Sequence, residues 1–213
     1  MIKIVDNVVA QETLTRIRTK GVDSKTFREG LSEIGHIISY EFAETLPREE
    51  IIVETPLGEA KGVKISCRED IVIISILRAA VPLSMSVLDV FPEASSGFAG
   101  EWREDVPPFN VNMDYIKLPN LKDKIVIIPD PMLATGNSIH KFLDKIYKLD
   151  KYGKPKKLVF FSVISAKLGI NRLQENYPDM DIYTCKIEDN INDKGYIVPG
   201  LGDAGDLSFG EPL

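Results

Sequence analysis

Residues 126–138 read VIIPDPMLATGNS, and this stretch decides the fold prediction. It runs from β-branched apolar residues into an acid, Asp130, and then through a turn of small residues into a helical pattern. A buried strand followed by such a turn and a helix is typical of α/β proteins. The turn would present free backbone N–H groups and the positive helix end to a phosphate, with the hydroxyls of Thr135 and Ser138 as further donors. The Asp130 carboxylate would lie where sugar hydroxyls of the same ligand need an acceptor.

Two other interpretations of this stretch are weaker. Asp-Pro and Thr-Gly-Asn can be ordinary turn residues that end a strand and cap a helix. That explanation suits a single dipeptide better than the whole succession of strand, acid, turn and helix. A Walker-type nucleotide site is excluded, because no lysine follows Gly136 at the required spacing.

The same alternation of short apolar strands and helical segments extends from residue 71 to residue 184. It predicts an α/β fold with a parallel sheet covered by helices on both faces. The predicted strands are 71–76, 95–99, 125–128, 157–164 and 181–184, and the predicted helices between them are 82–91, 137–149 and 168–176. Ligands bind such sheets beyond the carboxyl ends of the strands, so the loops after Ile76 and Ile128 are the prime candidates for a site.

Three segments lie outside this alternation. An apolar stripe at helical spacing predicts an amphipathic helix over 25–45, with Asp23 or Ser24 as its cap. Residues 51–64 favour a hairpin or an irregular excursion, and residues 101–119 favour a mobile hairpin over the site. Since the sequence has neither internal repeats nor low-complexity linkers, we expect a single domain over residues 1–213.

Composition narrows the functional classes. The chain has 213 residues, 44% of them hydrophobic and 27% charged, and a formal net charge of −6, which argues against a broad nucleic-acid surface. Its longest apolar runs are far shorter than the roughly 20 residues of a membrane span. The first residues lack the pattern of a secretory signal, which predicts a cytoplasmic protein. Cys67 and Cys185 have no metal-ligand spacing, so we expect them to be packing residues.

Two loops carry a resemblance to a known family. Residues 130–136, DPMLATG, resemble the phosphoribosyl pyrophosphate motif of type I phosphoribosyltransferases, in the form found in uracil phosphoribosyltransferases. Most type I relatives have two adjacent acids where this chain has Asp130 and Pro131, and the uracil group shares that departure. Residues 195–206, GYIVPGLGDAGD, are similar to the uracil-binding loop of this family nearly residue for residue. The resemblance extends from the helix at Phe27 through Gly210.

The chain departs from the family pattern at two positions where glycine is usual. Ala80 stands in the loop that would face pyrophosphate, which puts the conformation of that loop or its affinity in doubt. Asn137 stands in the phosphate loop, and this change is mild because asparagine tolerates left-handed backbone conformations.

The resemblance implies a type I phosphoribosyltransferase core with a flexible β-hairpin and a C-terminal base-binding hood. It implies an enzyme that joins uracil to phosphoribosyl pyrophosphate, makes UMP and releases pyrophosphate, with Mg2+ as the metal ion and no direct protein ligand to it. The residues implied in catalysis are Asp130, Arg78, Arg103 and Asp203. Those implied in binding phosphoribosyl pyrophosphate are these four with Pro131, Met132, Leu133, Ala134, Thr135, Gly136, Asn137 and Ser138. Those implied in binding uracil are Ile197, Gly202, Asp203 and Ala204.

Elementary chemistry agrees with several of these roles. The guanidinium groups of Arg78 and Arg103 suit bidentate phosphate recognition and the charge that grows on a leaving group. The resemblance implies that Asp203 faces the ribosyl substrate and its metal, with water between Asp203 and the ion, and Asp203 is also the nearest candidate for a general base on uracil. The glycines of residues 195–206 let backbone groups approach a flat base closely.

Other interpretations stay open at this point. The substrate could be another nucleobase, or the chain could be a nucleotide-sensing regulator on the same fold that does not catalyse a reaction. The C-terminal loop could also be a calcium loop of Asp189, Asp193, Asp203 and Asp206, although their spacing is irregular. The resemblance further suggests a homo-oligomer, a dimer or a tetramer, with GTP as an activator and CTP as an inhibitor.

Overall fold

The structure is a computed structural model that describes residues 1–103 and 111–212, apart from the side chains of residues 102, 103 and 111. The strands are β1 (Ile2–Ile4), β2 (Arg48–Thr55), β3 (Gly58–Ile65), β4 (Ile71–Leu77), β5 (Ser95–Arg103), β6 (Val111–Lys117), β7 (Ile125–Pro129), β8 (Met132–Leu133), β9 (Lys157–Ala166), β10 (Asp181–Glu188), β11 (Asn190–Ile191) and β12 (Ile197–Val198). The helices are α1 (Val8–Ile17), α2 (Ser24–Ala43), α3 (Val81–Val90), α4 (Asn137–Leu149), α5 (Lys167–Asn176) and α6 (Ala204–Phe209), and Arg68–Asp70 forms one turn of 3-10 helix.

A central sheet organises the molecule. Its strand order is β1-β10-β9-β7-β4-β5-β6, with β8 as a further partner of β9. Among the described strands of this sheet, each pair is parallel except β5 with β6, which is antiparallel. The chain order reverses between β4 and β7, which is where an open parallel sheet leaves a crevice for a ligand. The predicted α/β fold is confirmed.

The predicted core elements are present with small differences in their bounds. The five core strands begin at the predicted residues, and each extends beyond the predicted end, by one residue in β4 and β7 and by as many as four in β5 and β10. In β5 and β10 the added residues include charged ones, which carry no apolar signal in the sequence but still pair with the neighbouring strand, as Lys186 and Glu188 do with β9.

Helix α2 covers one face of the sheet. Asp23 caps it by accepting a hydrogen bond from the backbone N–H of Thr26 at 2.9 Å. Two glycines let its neighbours approach closely. A Cβ at Gly30 would lie 2.2 Å from Cγ2 of Ile17 in α1, and a Cβ at Gly35 would lie 1.9 Å from Oγ of Ser86 in α3. The helix is therefore fixed between α1 and α3, and larger residues at these glycines would separate them.

Two apolar layers bury the sheet. One contains the stripe of α2, where Phe42 packs edge-on against Phe161 of β9 and Tyr183 of β10 with ring centroids 5.6 Å apart in both pairs. Such aromatic pairs contribute about 0.5–1.5 kcal/mol beyond their buried area. The other layer contains Ile139 and Phe142 of α4 and Leu173 of α5. Helices thus cover both faces, as the sequence predicted.

Several elements were missed from the sequence. Helix α1 buries Ala10, Thr13, Leu14 and Ile17, a pattern at helical spacing that Asn7 caps. Residues 131–136 were predicted to be only a turn, but Met132–Leu133 form β8 beside β9, because parallel pairing satisfies backbone groups that the turn would leave free. The C-terminal loop also contains α6, which Asp203 caps.

Both predicted hairpins are present. Strands β2 and β3 pair from Arg48↔Ile65 to Thr55↔Gly58, and β5 pairs with β6. The residues that would join β5 to β6, 104–110, lie outside the described part of the chain, so the predicted mobility of this hairpin stays a prediction. In the parts that are described, no helix has both the length and the apolar character to cross a membrane.

Candidate functional site

The loop after β7, residues 130–138, leads from a strand into a helix as the sequence predicted for a phosphate loop, and we refer to it by that name. Gly136 has φ 73°, a left-handed conformation that glycine adopts without strain, and it caps the start of α4. The backbone N–H of Asn137 points to Oγ1 of Thr135 at 3.3 Å. The first turn of α4 therefore follows directly on the small-residue turn and carries the backbone N–H groups that an anion can bind.

Helix α5 supports this loop from behind. A Cβ at Gly169 would lie 2.5 Å from the carbonyl oxygen of Ala134, so this helix position requires glycine. Arg172, one turn later, donates a hydrogen bond from Nη1 to the carbonyl oxygen of Thr135 at 3.1 Å, and it also binds Oδ1 of Asn137. The loop is held in shape by a residue 37 positions later in the chain, since α5 follows β9, the neighbour of β7.

Asp130 is the first residue after β7 and begins the phosphate loop. Its Oδ1 accepts a hydrogen bond from the backbone N–H of Met132 at 3.0 Å. Burial raises the pKa of Asp130 to about 7; the Met132 N–H opposes this rise, and the negative charge of Glu101 adds to it. The carboxyl group therefore changes charge near neutral pH.

Glu101, on β5, reaches the same loop from the neighbouring side. Its Oε1 accepts a hydrogen bond from Oγ of Ser138 at 2.6 Å. Ser138 lies in the first turn of α4, so a carboxylate occupies the helix end where the sequence predicted a phosphate.

Arg78 follows β4 and connects this edge of the sheet to the C-terminal segment. Its Nη2 lies 2.8 Å from Oδ1 of Asp206, and its Nη1 donates to the carbonyl oxygen of Gly210 at 3.1 Å. The side chain is 45% exposed, so these contacts are screened by solvent.

The C-terminal segment, residues 190–209, forms a hood of β11, β12, a loop and α6. The loop contains two glycines with positive φ, Gly200 at 62° and Gly202 at 85°. A Cβ at Gly200 would lie 2.1 Å from the carbonyl oxygen of Ile197, so the turn requires glycine there. The side chains of Ile197 and Ala204 are buried in the core. The loop can therefore present only their backbone groups to a ligand.

Asp203 lies where the hood loop enters α6. Its Oδ1 accepts the backbone N–H of Asp206 at 3.0 Å, which caps the helix, and its Oδ2 lies 3.4 Å from the hydroxyl of Tyr196. One oxygen thus has a structural role, and the other faces the tyrosine.

Two arginines from the N-terminal helices hold the hood against the core. Arg18, which follows α1, donates from Nε to the carbonyl oxygen of Gly200 at 3.2 Å and pairs with Glu188 at 2.9 Å. Arg28 of α2 donates to the carbonyl oxygen of Ser208 at 2.6 Å. The side chains of Arg18 and Glu188 are 25% and 12% exposed, so this pair is stronger than a fully solvated one.

Comparison with known proteins gives the family. A family model described as uracil phosphoribosyltransferase matches residues 4–211. The chain belongs to the uracil phosphoribosyltransferase family. The uracil phosphoribosyltransferase of Methanothermobacter thermautotrophicus is 50% identical over 212 residues, which are 100% of this chain and 96% of that protein. That of Pyrobaculum arsenaticum is 44% identical over 210 residues, 98% of each chain. A solved structure of a protein from Aquifex aeolicus covers 100% of both chains at 32% identity, with a TM-score of 0.89.

The residues predicted for a uracil phosphoribosyltransferase site lie on three neighbouring segments. These are the phosphate loop, the end of β4 at Arg78, and the hood with Gly202 and Asp203. The side chains of Pro131 and Leu133 are buried, so their contact with a ligand would be through the backbone. Arg103 ends β5, but its side chain lies outside the described part of the chain.

The two departures from the family pattern are sterically mild. Ala80 has φ −67° and ψ −20°, a right-handed conformation that any residue adopts, so the alanine is compatible with this backbone. Asn137 is the first residue of α4, and the left-handed position is Gly136. The tolerance of asparagine for left-handed conformations is therefore not what allows it here.

Sequence reasoning missed five residues of this candidate site. These residues are Glu101, Gly169, Arg172, Arg18 and Asp206 in its contact with Arg78. None lies at a recognisable spacing from the residue that it contacts. A usable signal was the alternation of strands and helices: if consecutive strands are neighbours in the sheet, the helix after β9 lies beside the loop after β7.

Proposed function

We propose that the chain carries out the reaction of this family, the conversion of uracil and phosphoribosyl pyrophosphate (5-phospho-α-D-ribose 1-diphosphate) to UMP and pyrophosphate in pyrimidine salvage. Three parts of one site would each bind a different part of the substrates. The parts are the phosphate loop, the loop after β4 and the hood. The contact between Arg78 and Asp206 carries this proposal, because it joins the hood to the carboxyl edge of the sheet. Residues 1–213 would then act as one domain.

The phosphate loop would hold the 5′-phosphate. Residues 134–138 offer the backbone N–H groups at the start of α4 and the hydroxyls of Thr135 and Ser138. The contacts of Arg172 and the close packing of Gly169 support this role, since they fix the loop before a ligand arrives.

Asp130 would hold the ribose hydroxyls. Hydrogen bonds from hydroxyl groups to an ionised carboxylate are the stronger kind, and they favour the charged form. A pKa of about 7 in the free protein means that ribose binding would draw Asp130 towards its ionised state. The affinity for phosphoribosyl pyrophosphate would therefore depend on pH.

Arg78 and Arg103 would bind the pyrophosphate group and stabilise the charge that develops on it as it leaves. Arg78 would exchange its contact with Asp206 for a phosphate oxygen. The exchange costs little, because solvent-exposed ion pairs contribute about 0–1 kcal/mol.

Magnesium fits this site by donor chemistry. Asp203 supplies a hard oxygen donor of the kind that Mg2+ prefers. Within residues 1–103 and 111–212, no three or more His, Cys, Asp or Glu side chains are grouped to hold a metal. Such a donor set suits an ion held mainly by substrate phosphates and water, with Asp203 contacting it through water. When bound, the ion would neutralise charge on the departing pyrophosphate.

The hood would hold uracil. The base offers an N–H group between two carbonyls, which the backbone of Ile197, Gly202 and Ala204 can complement. Asp203 is the nearest carboxylate that could take the proton from this N–H group, and its Oδ2 is the oxygen that does not cap α6.

The decisive experiment measures UMP formation from uracil, phosphoribosyl pyrophosphate and Mg2+, with cytosine and hypoxanthine as alternative bases. UMP as the only nucleotide formed would support the proposal. Product from another base would favour a different nucleobase specificity. Binding of phosphoribosyl pyrophosphate without any product would favour the nucleotide-sensing regulator. Full turnover and Mg2+ dependence in Asp203→Asn would disprove both roles given to Asp203.

We further propose a cytoplasmic homo-oligomer, a dimer or a tetramer, that GTP activates and CTP inhibits. Family membership supports these properties. Light scattering of the purified protein would give the oligomeric state. Initial rates with each nucleotide would test the regulation, and unchanged rates with both nucleotides would contradict it.

A further inference from the structure

Glu101 has no role in the assignment above, although it contacts the phosphate loop. Its carboxylate accepts the hydrogen of the Ser138 hydroxyl at 2.6 Å, across 37 residues of sequence. Two independent features of the fold direct it to that place.

The first feature is a bulge in the pairing of β5 with β6. Gly100 pairs with Tyr115, and Trp102 pairs with Asn112. Between these pairs β5 has one residue, Glu101, and β6 has two. A bulge of this kind bends the strand that carries the extra residue, here β6, and makes the ladder irregular beside Glu101; such bulges are common beside active sites.

The second feature is the alternation of β5. Ala99, two residues earlier and on the same face, is buried in the layer that contains Ile139 and Phe142 of α4. Glu101 therefore continues the face that α4 covers. It lies beyond the apolar layer, beside the first turn of the helix.

The hydrogen bond has a chemical consequence for substrate binding. A serine hydroxyl has one hydrogen to donate, and in this structure Ser138 donates it to Glu101. Phosphate oxygens are acceptors as well, so Ser138 cannot serve both groups. A carboxylate and a phosphate dianion at the same helix end also repel each other.

We propose that Glu101 is an internal competitor of the 5′-phosphate: its carboxylate holds the Ser138 hydroxyl in the free enzyme and must leave it when phosphoribosyl pyrophosphate binds. This inference rests on the proposed role of residues 134–138 in binding the 5′-phosphate. Its effect is to weaken binding of this substrate and of the product UMP, which carries the same phosphate.

The position of Glu101 also bears on Asp130. Burial raises the pKa of Asp130 and the charge of Glu101 adds to this rise, so the two carboxyl groups repel each other. Moving Glu101 away would favour the ionised form of Asp130, the form that accepts the ribose hydroxyls. Arrival of the phosphate would therefore strengthen the contact with the ribose.

The test is Glu101→Gln, which keeps the shape of the side chain and removes its charge. Titration calorimetry with phosphoribosyl pyrophosphate and Mg2+, without uracil, should give a Kd about three- to tenfold lower than in the wild type, since a repulsion between partly solvated charges is lost. UMP should also bind more tightly. The KM for uracil should not change.

Glu175→Gln is the matched control, because it removes one negative charge from an exposed position of α5. Its Kd should equal that of the wild type. When Glu101→Gln is added to the Ser138→Ala variant, it should lower the Kd for phosphoribosyl pyrophosphate by a smaller factor than it does in the wild type. The reason is that Ser138→Ala has already removed the hydrogen bond to Glu101. If Glu101→Gln unfolds, Glu101→Ala gives the same comparison.

An unchanged or higher Kd in a folded Glu101 variant would overturn the inference, and a higher value would make Glu101 part of the binding machinery. Failure of the wild type to bind phosphoribosyl pyrophosphate would instead disprove the proposed function. The two failures are therefore distinguishable.

Discussion

The phosphate loop and the hood are built in different ways. The phosphate loop joins a core strand to a core helix, and α5 packs directly against it, with Gly169 in close contact. The hood crosses the sheet edge as two short strands and one short helix, and Arg18, Arg28 and Arg78 connect it to the core by polar contacts. The hood also buries Ile197 and Ala204 in the core, but its main chain is held at Gly200 and Ser208 by hydrogen bonds from arginines rather than by a close backbone contact. We therefore expect the two regions to differ in their sensitivity to mutation.

Asp130→Asn should have the largest effect on activity. Losing charge-assisted hydrogen bonds to the ribose should lower kcat/KM for phosphoribosyl pyrophosphate about 100-fold or more, since each such bond contributes about 1.5–3 kcal/mol. Steady-state kinetics would measure this loss. A kcat/KM within about threefold of the wild-type value would show that Asp130 does not hold the ribose.

The same substitution should stabilise the free protein. The raised pKa of Asp130 means that the folded state binds this proton more tightly than the unfolded state, so stability falls as pH rises from about 4 to about 7. Asparagine lacks this titration. At pH 8 the Tm of Asp130→Asn should exceed that of the wild type by about 2–4 °C, and the difference should vanish near pH 4. Equal Tm values at both pH values would contradict the raised pKa.

Gly169→Ala would break the packing under the phosphate loop. The added methyl group would lie 2.5 Å from the carbonyl oxygen of Ala134, so the loop or α5 must move. Overpacking of this kind costs about 1–3 kcal/mol, and the KM for phosphoribosyl pyrophosphate should rise about tenfold. Calorimetry and kinetics would measure both effects. Gly62→Ala is the control, since its methyl group would meet Ile51 at an ordinary 3.5 Å.

Arg18→Gln would loosen the hood and leave the phosphate loop intact. It removes the donor to the Gly200 carbonyl and leaves the largely buried Glu188 without this ion pair. The KM for uracil should rise about three- to tenfold, while the Kd for phosphoribosyl pyrophosphate stays the same. Arg16→Gln in α1, whose partner Glu33 is exposed, should change neither value. A parallel rise in both constants for Arg18→Gln would mean that the two regions are not independent.

The smallest expected effect concerns pH. In the wild type, kcat/KM for phosphoribosyl pyrophosphate should rise with pH through about 7, because the ionised form of Asp130 binds the ribose. In Glu101→Gln this rise should occur at lower pH, because one neighbouring negative charge is absent. Rate profiles of the two enzymes with the same substrate would measure the difference. Coincident profiles would show that Glu101 does not influence Asp130.

The contrast between the two regions also explains what the sequence could predict. The phosphate loop was predicted because strand, turn and helix are adjacent in sequence, and α4 begins at the predicted Asn137. The hood was identified only by its resemblance to a family, and its helix α6 was missed because six residues carry no periodic signal. Glu101 and Arg18 act through contacts between distant segments, which the spacing of residues in the sequence does not encode.

The hood is anchored through main-chain atoms, since Arg18 and Arg28 bind the carbonyl oxygens of Gly200 and Ser208. A carbonyl group is present whichever amino acid occupies the position. Side-chain substitutions outside the glycines that the turn requires therefore leave these anchors in place. The hood can thus vary in sequence while its main chain keeps its attachment to the N-terminal part of the chain.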